Sequence, residues 1–79
     1  MNTRPIYMIA NEIRQDWKKV HYSAKPYLEA MYGLNKITDK YGFDSADSIV
    51  RYFLINANTW KGEKAREIKS ELKNMLKMA

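Results

Sequence analysis

Ala46-Asp47-Ser48-Ile49-Val50-Arg51-Tyr52-Phe53-Leu54-Ile55-Asn56-Ala57 is the stretch that decides the fold. Its residues Ala46, Ile49, Val50, Phe53, Leu54 and Ala57 return at intervals of three and four, the period of a helix with a buried stripe, where a half-buried strand would alternate. Tyr52 and Ile55 widen the stripe beyond one face, so this segment is predicted to be the central helix. Asp44 and Asp47 give it a capping-box-like start, and Asn56, Asn58 and Thr59 break it.

Downstream, Thr59 offers a cap for a final helix from Trp60 to about Met78, with Ala65, Ile68, Leu72, Met75 and Leu76 facing the core. Upstream, Thr38 to Asp44 loses the period and holds Gly42, so it reads as a loop whose Tyr41 and Phe43 fold back onto the core. Before it, Ser23 is a good N-cap and Pro26 fits a first turn. The second helix is therefore expected from about Ala24 to Lys36 or slightly beyond, with Ala24, Tyr27 or Leu28, Met31 and Leu34 leading toward Ile37. A first helix, capped by Asn2 or Thr3 and opened by Pro5, carries Ile6, Ile9, Ala10, Ile13, Trp17 and Val20 on one stripe. Lys18, Lys19 and His21 then gather at its C-terminus, where cations meet the negative end of the macrodipole. The prediction is all-α: a compact single domain over residues 1–79, built as a bundle of about four short helices.

Composition narrows the function. The chain has 79 residues, 46% hydrophobic, 29% charged and 13% aromatic, and must concentrate its apolar residues on packing faces, leaving little room for an internal active-site cavity. With no cysteine there is no disulfide, no thiol nucleophile and no thiolate metal site. A single histidine forms no HExxH and no Ser-His-Asp arrangement, and Gly33, Gly42 and Gly62 lie too far apart for a phosphate-binding loop. Asp39, Asp44 and Asp47 lack the alternating ligands and central glycine of a calcium loop, and read as turn and cap residues. The expectation is no enzyme, no cofactor, no metal and no small-molecule substrate. No apolar run spans a bilayer and Ile6 to Ala10 is cut off by Asn11 and Glu12, so neither a signal nor an anchor is expected and the setting reads as cytoplasmic.

The net charge of +5 makes an acidic partner plausible. On the final helix the apolar face is flanked by Arg66, Lys69, Lys73 and Lys77 on one side and by Glu63, Glu67 and Glu71 on the other. Each like-charged i,i+4 pair costs roughly 0.2 to 0.5 kcal/mol, so something outside the helix is expected to compensate. The compensating partner could be the first helix, whose Arg14 and Lys18 share a side with Tyr7 and could face the acidic stripe, or equally another subunit, an acidic protein or phosphate. Should Arg14 and Lys18 pair with Glu63, Glu67 or Glu71, the positive field is broken up; should they extend the basic stripe, DNA contact gains. A helix-turn-helix from the third helix, Asn56 to Thr59 and the fourth helix has weak support, because that turn holds no glycine and Gly62 falls inside the next helix.

Trp17, Trp60 and Phe53 read as core. Six tyrosines are too many to bury in so small a chain, and Tyr7, Tyr22, Tyr32 and Tyr52 fall off or beside the apolar stripes, as interface tyrosines do.

Ile9-Ala10-Asn11-Glu12-Ile13, Ala24-Lys25-Pro26-Tyr27-Leu28-Glu29-Ala30-Met31, Tyr52-Phe53-Leu54 and Asn58-Thr59-Trp60-Lys61-Gly62 resemble a family of small proteins without assigned function from phages and integrative elements of Gram-positive bacteria. The likeness covers most of the chain, but its motifs are mainly caps and core, and it brings no site residues. It implies a bacterial cytosolic setting and an accessory role such as regulation, DNA handling or interference with a host factor.

Two function classes follow. The first is a helical interaction module binding a protein partner or itself through the fourth helix and its exposed tyrosines. The second is a DNA-binding accessory protein using Arg66, Lys69, Lys73 and Lys77, with Arg14 and Lys18 extending the patch.

Overall fold

The computed structural model describes residues 4–78, so the expected caps Asn2 and Thr3 lie outside the described residues. The chain runs α1 (Ile6–Asp16), α2 (Lys25–Met31), β1 (Lys40–Tyr41), β2 (Asp44–Ser45), α3 (Ala46–Ile55) and α4 (Glu63–Met78). Each helix packs on two others, α1 on α2 and α4 and α3 on α2 and α4, closing a four-helix ring. The result is a flat body of 28 × 27 × 18 Å. The architecture is mostly helical, with a miniature hairpin added to the expected bundle.

The apolar stripes are buried as their spacing dictates. Ile6, Ile9, Ala10 and Ile13 of α1 meet Leu28 and Met31 of α2, Ile49, Val50 and Phe53 of α3, and Ala65, Ile68, Leu72 and Met75 of α4 in one cluster. At its centre the Trp17 and Trp60 rings stack with centroids 5.7 Å apart, and Phe53 meets both edge-on at 6.2 and 6.4 Å. Such pairs add roughly 0.5 to 1.5 kcal/mol each beyond the area they bury.

That aromatic cluster explains why α1 stops early. The stripe predicts a helix through Val20, yet the backbone leaves helical geometry at Trp17 (φ −93°, ψ 87°). This turn brings the Trp17 ring onto Trp60, whose indole N–H donates to the Asp16 carboxylate at 2.8 Å. Lys18, Lys19 and His21 therefore lie beyond the helix rather than in its last turn. His21 instead organises the entry to α2: its carbonyl accepts the N–H groups of Ala24 and Lys25, and its ring nitrogen Nδ1 lies 2.7 Å from the Ser23 hydroxyl.

At the other end of α1, Pro5 offers no side-chain cap, and the orphan N–H groups of Ile6 and Tyr7 donate to the carbonyls of Asn35 and Leu34, both at 2.9 Å. This tertiary cap requires the chain to double back after α2. Accordingly α2 ends at Met31, not near Lys36, and its N-cap is Ala24 rather than Ser23. Gly33 lies outside the helix with the Tyr41 ring against it: a Cβ there would stand 3.2 Å from Tyr41 Cε1.

The expected loop before α3 contains the hairpin. Lys40 pairs with Ser45 and Tyr41 with Asp44 across a two-residue turn, whose first central position is Gly42 at φ +64°, where a side chain would be strained. Asp39 fastens the base: its carboxylate accepts the N–H groups of Asn35 and Lys36 at 2.9 Å, and its carbonyl accepts that of Ala46 at 2.8 Å. The hairpin overturns the inward placement of its aromatics, for Phe43 at the tip is fully exposed and Tyr41 about half exposed. The N-cap of α3 is Ser45, whose hydroxyl accepts the Ser48 N–H, and not Asp44.

Finally, α4 begins at Glu63 instead of Trp60. Gly62, expected inside the helix, precedes it at φ +117°, and its carbonyl accepts the Arg66 N–H at 3.0 Å. Residues 56–62 form the α3–α4 linker, longer than the three or four residues of a DNA-binding helix-turn-helix turn.

Candidate functional site

Sorted charge drew attention to α4, and the structure shows where that charge goes. On the acidic side Glu71 is met by Arg4, whose Nε donates to Glu71 Oε2 at 3.0 Å and whose second guanidinium nitrogen donates to Glu71 Oε1 at 2.7 Å, a bidentate pair, while Glu63 and Glu67 are exposed and enter no ion pair among the described residues. Arg4 also pairs with Glu12 of α1, and Lys64 of α4 lies 3.5 Å from the other Glu12 oxygen. The Arg4 hydrogen bond first, and the charges of Arg4 and Lys64 after it, hold the Glu12 carboxyl below its usual range. Thus the charge joining α1 and α4 comes from Arg4 and Lys64, not from Arg14 and Lys18.

Arg14 lies 3.4 Å from Glu29 of α2 on the open surface, so it joins neither α4 stripe. Lys18 stands exposed past the end of α1. On the basic side, Arg66, Lys73 and Lys77 are exposed and enter no ion pair among the described residues. Lys69 differs. Its ammonium donates to the carbonyls of Ala57 and Trp60 at 2.8 and 2.7 Å and sits 5.8 Å from the centre of the Trp60 ring. Burial, and then the charges of Lys73 and Lys61, lower its pKa. Two of its three donors thereby hold the α3–α4 linker. A shallow cavity of about 230 Å³ beside it is lined by Trp60, Lys61, Gly62 and Arg66.

The tyrosines divide similarly. Tyr7 is on α1, Tyr32 at the C-cap of α2, and Tyr22, 82% exposed, stacks on His21 with centroids 4.6 Å apart. Of the four singled out, Tyr52 lines a groove. This cavity of about 290 Å³ lies between α2, the hairpin and α3, and its walls include Tyr27 and Ala30, Tyr41 and Asp44, and Ile49 and Tyr52. Tyr27 and Tyr52 stack at 5.7 Å across the α2–α3 contact. Tyr41 and Asp44 are directly opposed on the ladder, so their side chains leave the same face of the hairpin. Phe43 stands at the hairpin tip.

Sequence reasoning missed Tyr27, Tyr41, Phe43 and Asp44 as a surface. The available signal was Gly42 alone, which suits the first central position of a two-residue hairpin turn but, without strand alternation on either side, does not mark one.

No family model matches this chain, and no curated protein or solved structure matches it. No described helix is long and apolar enough to cross a membrane.

Proposed function

We propose that this chain is a non-enzymatic helical interaction module that docks a protein partner in the groove between α2, α3 and the hairpin. The observation that carries this reading is the convergence of three tyrosine rings, those of Tyr27, Tyr41 and Tyr52, on one cavity of about 290 Å³. Tyrosine gives large contact area at small entropic cost, and it is enriched where proteins meet. Phe43, fully exposed at the tip of the hairpin whose Tyr41 and Asp44 line the groove, strengthens the case, since covering a phenylalanine side chain yields roughly 1.5 to 3 kcal/mol. The occupant is a segment of another protein whose surface complements an aromatic and acidic wall. An accessory role in a bacterial cytoplasm, which the resemblance to phage and mobile-element proteins implies, is part of this proposal.

The test is selection from a displayed library of random 12-residue peptides, which at about 3.3 Å per extended residue are longer than the 28 Å molecule and so can place any register over the groove, with the full chain as bait. Wild type should enrich a consensus, and Tyr52→Ala and Phe43→Ser baits should lose it while a Lys73→Gln, Lys77→Gln bait keeps it. Enrichment that survives both groove variants contradicts the reading. Self-association is checked in parallel by sedimentation.

A second reading, DNA contact, is favoured by the exposed, unpaired row Arg66, Lys73 and Lys77 among the described residues. Fluorescence anisotropy of labelled duplex and single-stranded DNA tests it. Binding that weakens steeply with salt and loses about one unit of salt slope per lysine replaced supports it; no binding at low salt removes it.

A further inference from the structure

We propose that the groove is a cation site, and that the docked segment inserts a lysine or arginine side chain between the tyrosine rings and Asp44. This rests on the docking reading and gives it a chemistry. Three observations carry it. The first is the lining: aromatic faces carry negative quadrupole potential, and Tyr27, Tyr41 and Tyr52 border the same cavity as a carboxylate. Rings of this kind attract an ammonium or guanidinium within about 6 Å of their centres.

The second is the state of Asp44. The hairpin register sends its side chain to the same face as Tyr41, and among the described residues no cation pairs with it. No lysine or arginine lines the cavity. Arg51, adjacent to Tyr52 in sequence, lies 4.0 Å from Asp47 instead.

The third is the charge of the hairpin segment, of which Asp44 alone lines the cavity. Residues 39–47 hold Asp39, Asp44 and Asp47 against Lys40 alone, a local charge of −2 on a chain of +5. A cationic side chain entering the groove meets Asp44, the one charged residue on its lining. The fixed part of the site is the hairpin, since Asp39 clamps its base through three backbone hydrogen bonds of 2.8 and 2.9 Å. That rigidity holds Tyr41 and Asp44 in place before any ligand arrives, which lowers the ordering cost of binding.

The experiment is an NMR titration of the full chain with N-acetyl-arginine amide and, separately, with its neutral isostere N-acetyl-citrulline amide, following the ring resonances of Tyr27, Tyr41 and Tyr52. Saturable shifts confined to these rings with the arginine compound, and binding of the citrulline compound at least about tenfold weaker, are expected. Asp44→Asn should weaken the arginine compound by a similar factor, and Tyr52→Leu, which keeps apolar bulk but removes the ring, should do so while leaving citrulline binding unchanged. Both variants replace exposed side chains, and their amide spectra report whether the fold is kept. Equal binding of the two compounds, or wild-type affinity in Asp44→Asn, overturns the proposal. If the peptide selection yields a consensus that needs Tyr52 but contains neither lysine nor arginine, the cation site fails and docking stands. If it yields no consensus, the docking reading itself fails.

Discussion

The α1–α4 face and the α2–hairpin–α3 face of this molecule use their surface residues in opposite ways. On the first, charges are joined to one another: Arg4 spans Glu12 and Glu71, and Lys64 reaches Glu12. On the second, aromatic rings and Asp44 border a cavity without a partner inside the molecule. The difference teaches that conspicuous patterning and availability are separate properties. The sorted stripes of α4 are the most visible pattern in the sequence, yet part of them is consumed in holding helices together, whereas the available surface comes from residues scattered over 27–52.

The comparison can be broken at its shared support. Phe53 is buried against both tryptophans beneath the two faces, so Phe53→Ala should cost about 3 to 5 kcal/mol and destabilise both together in urea melts. A loss confined to one face, read by hydrogen exchange, would mean that the ring of helices is not one cooperative unit.

The next largest effect separates Lys69 from its neighbours. Removing the ammonium leaves the Ala57 and Trp60 carbonyls without their donor, so Lys69→Met should lose about 1 kcal/mol of stability. Lys73→Gln should stay within about 0.5 kcal/mol of wild type. Equal effects would show that the charged face is uniformly solvated.

Acid tests the ion-pair network. Because the fold holds Glu12 below its ordinary carboxyl pKa of 4.5, its pairing contributes stability that is fully present above that ordinary value and lost as pH falls through the folded value. Glu12→Gln should therefore flatten this part of the acid limb in chemical melts, by a small amount, since the network is one-third exposed. An unchanged acid limb would sink the network's role. The smallest effect on stability belongs to the groove: Tyr52→Ala and Phe43→Ser should each lie within about 0.5 kcal/mol of wild type while removing partner binding.

These contrasts follow what the sequence could and could not express. The helical stripes are local, so Ile49, Val50 and Phe53 of α3 and Ile68, Leu72 and Met75 of α4 were legible from spacing alone. Helix ends were not, because their causes are distant in the chain. Trp17 leaves α1 to reach a ring paired to Asp16 across 44 residues, and α2 stops so that Leu34 and Asn35 can cap α1. The Arg4–Glu71 pair joins residues 67 positions apart, beyond any helical periodicity. Gly62 was misread for a related reason: an isolated glycine near a helical pattern says nothing of its φ, and at +117° it marks the start of α4. The hairpin escaped because two-residue strands carry no alternation, and with it went Tyr41, Phe43 and Asp44. Of the groove, only Tyr52 was visible in advance, as a tyrosine beside rather than within its stripe.

The claim that the aromatic face is the contact surface is tested most directly by a chemical-shift map of a library-selected peptide on the full chain. The account predicts perturbations at Tyr27, Tyr41, Asp44 and Tyr52, with α4 unaffected. Perturbations running instead along Arg66, Lys73 and Lys77 would contradict it.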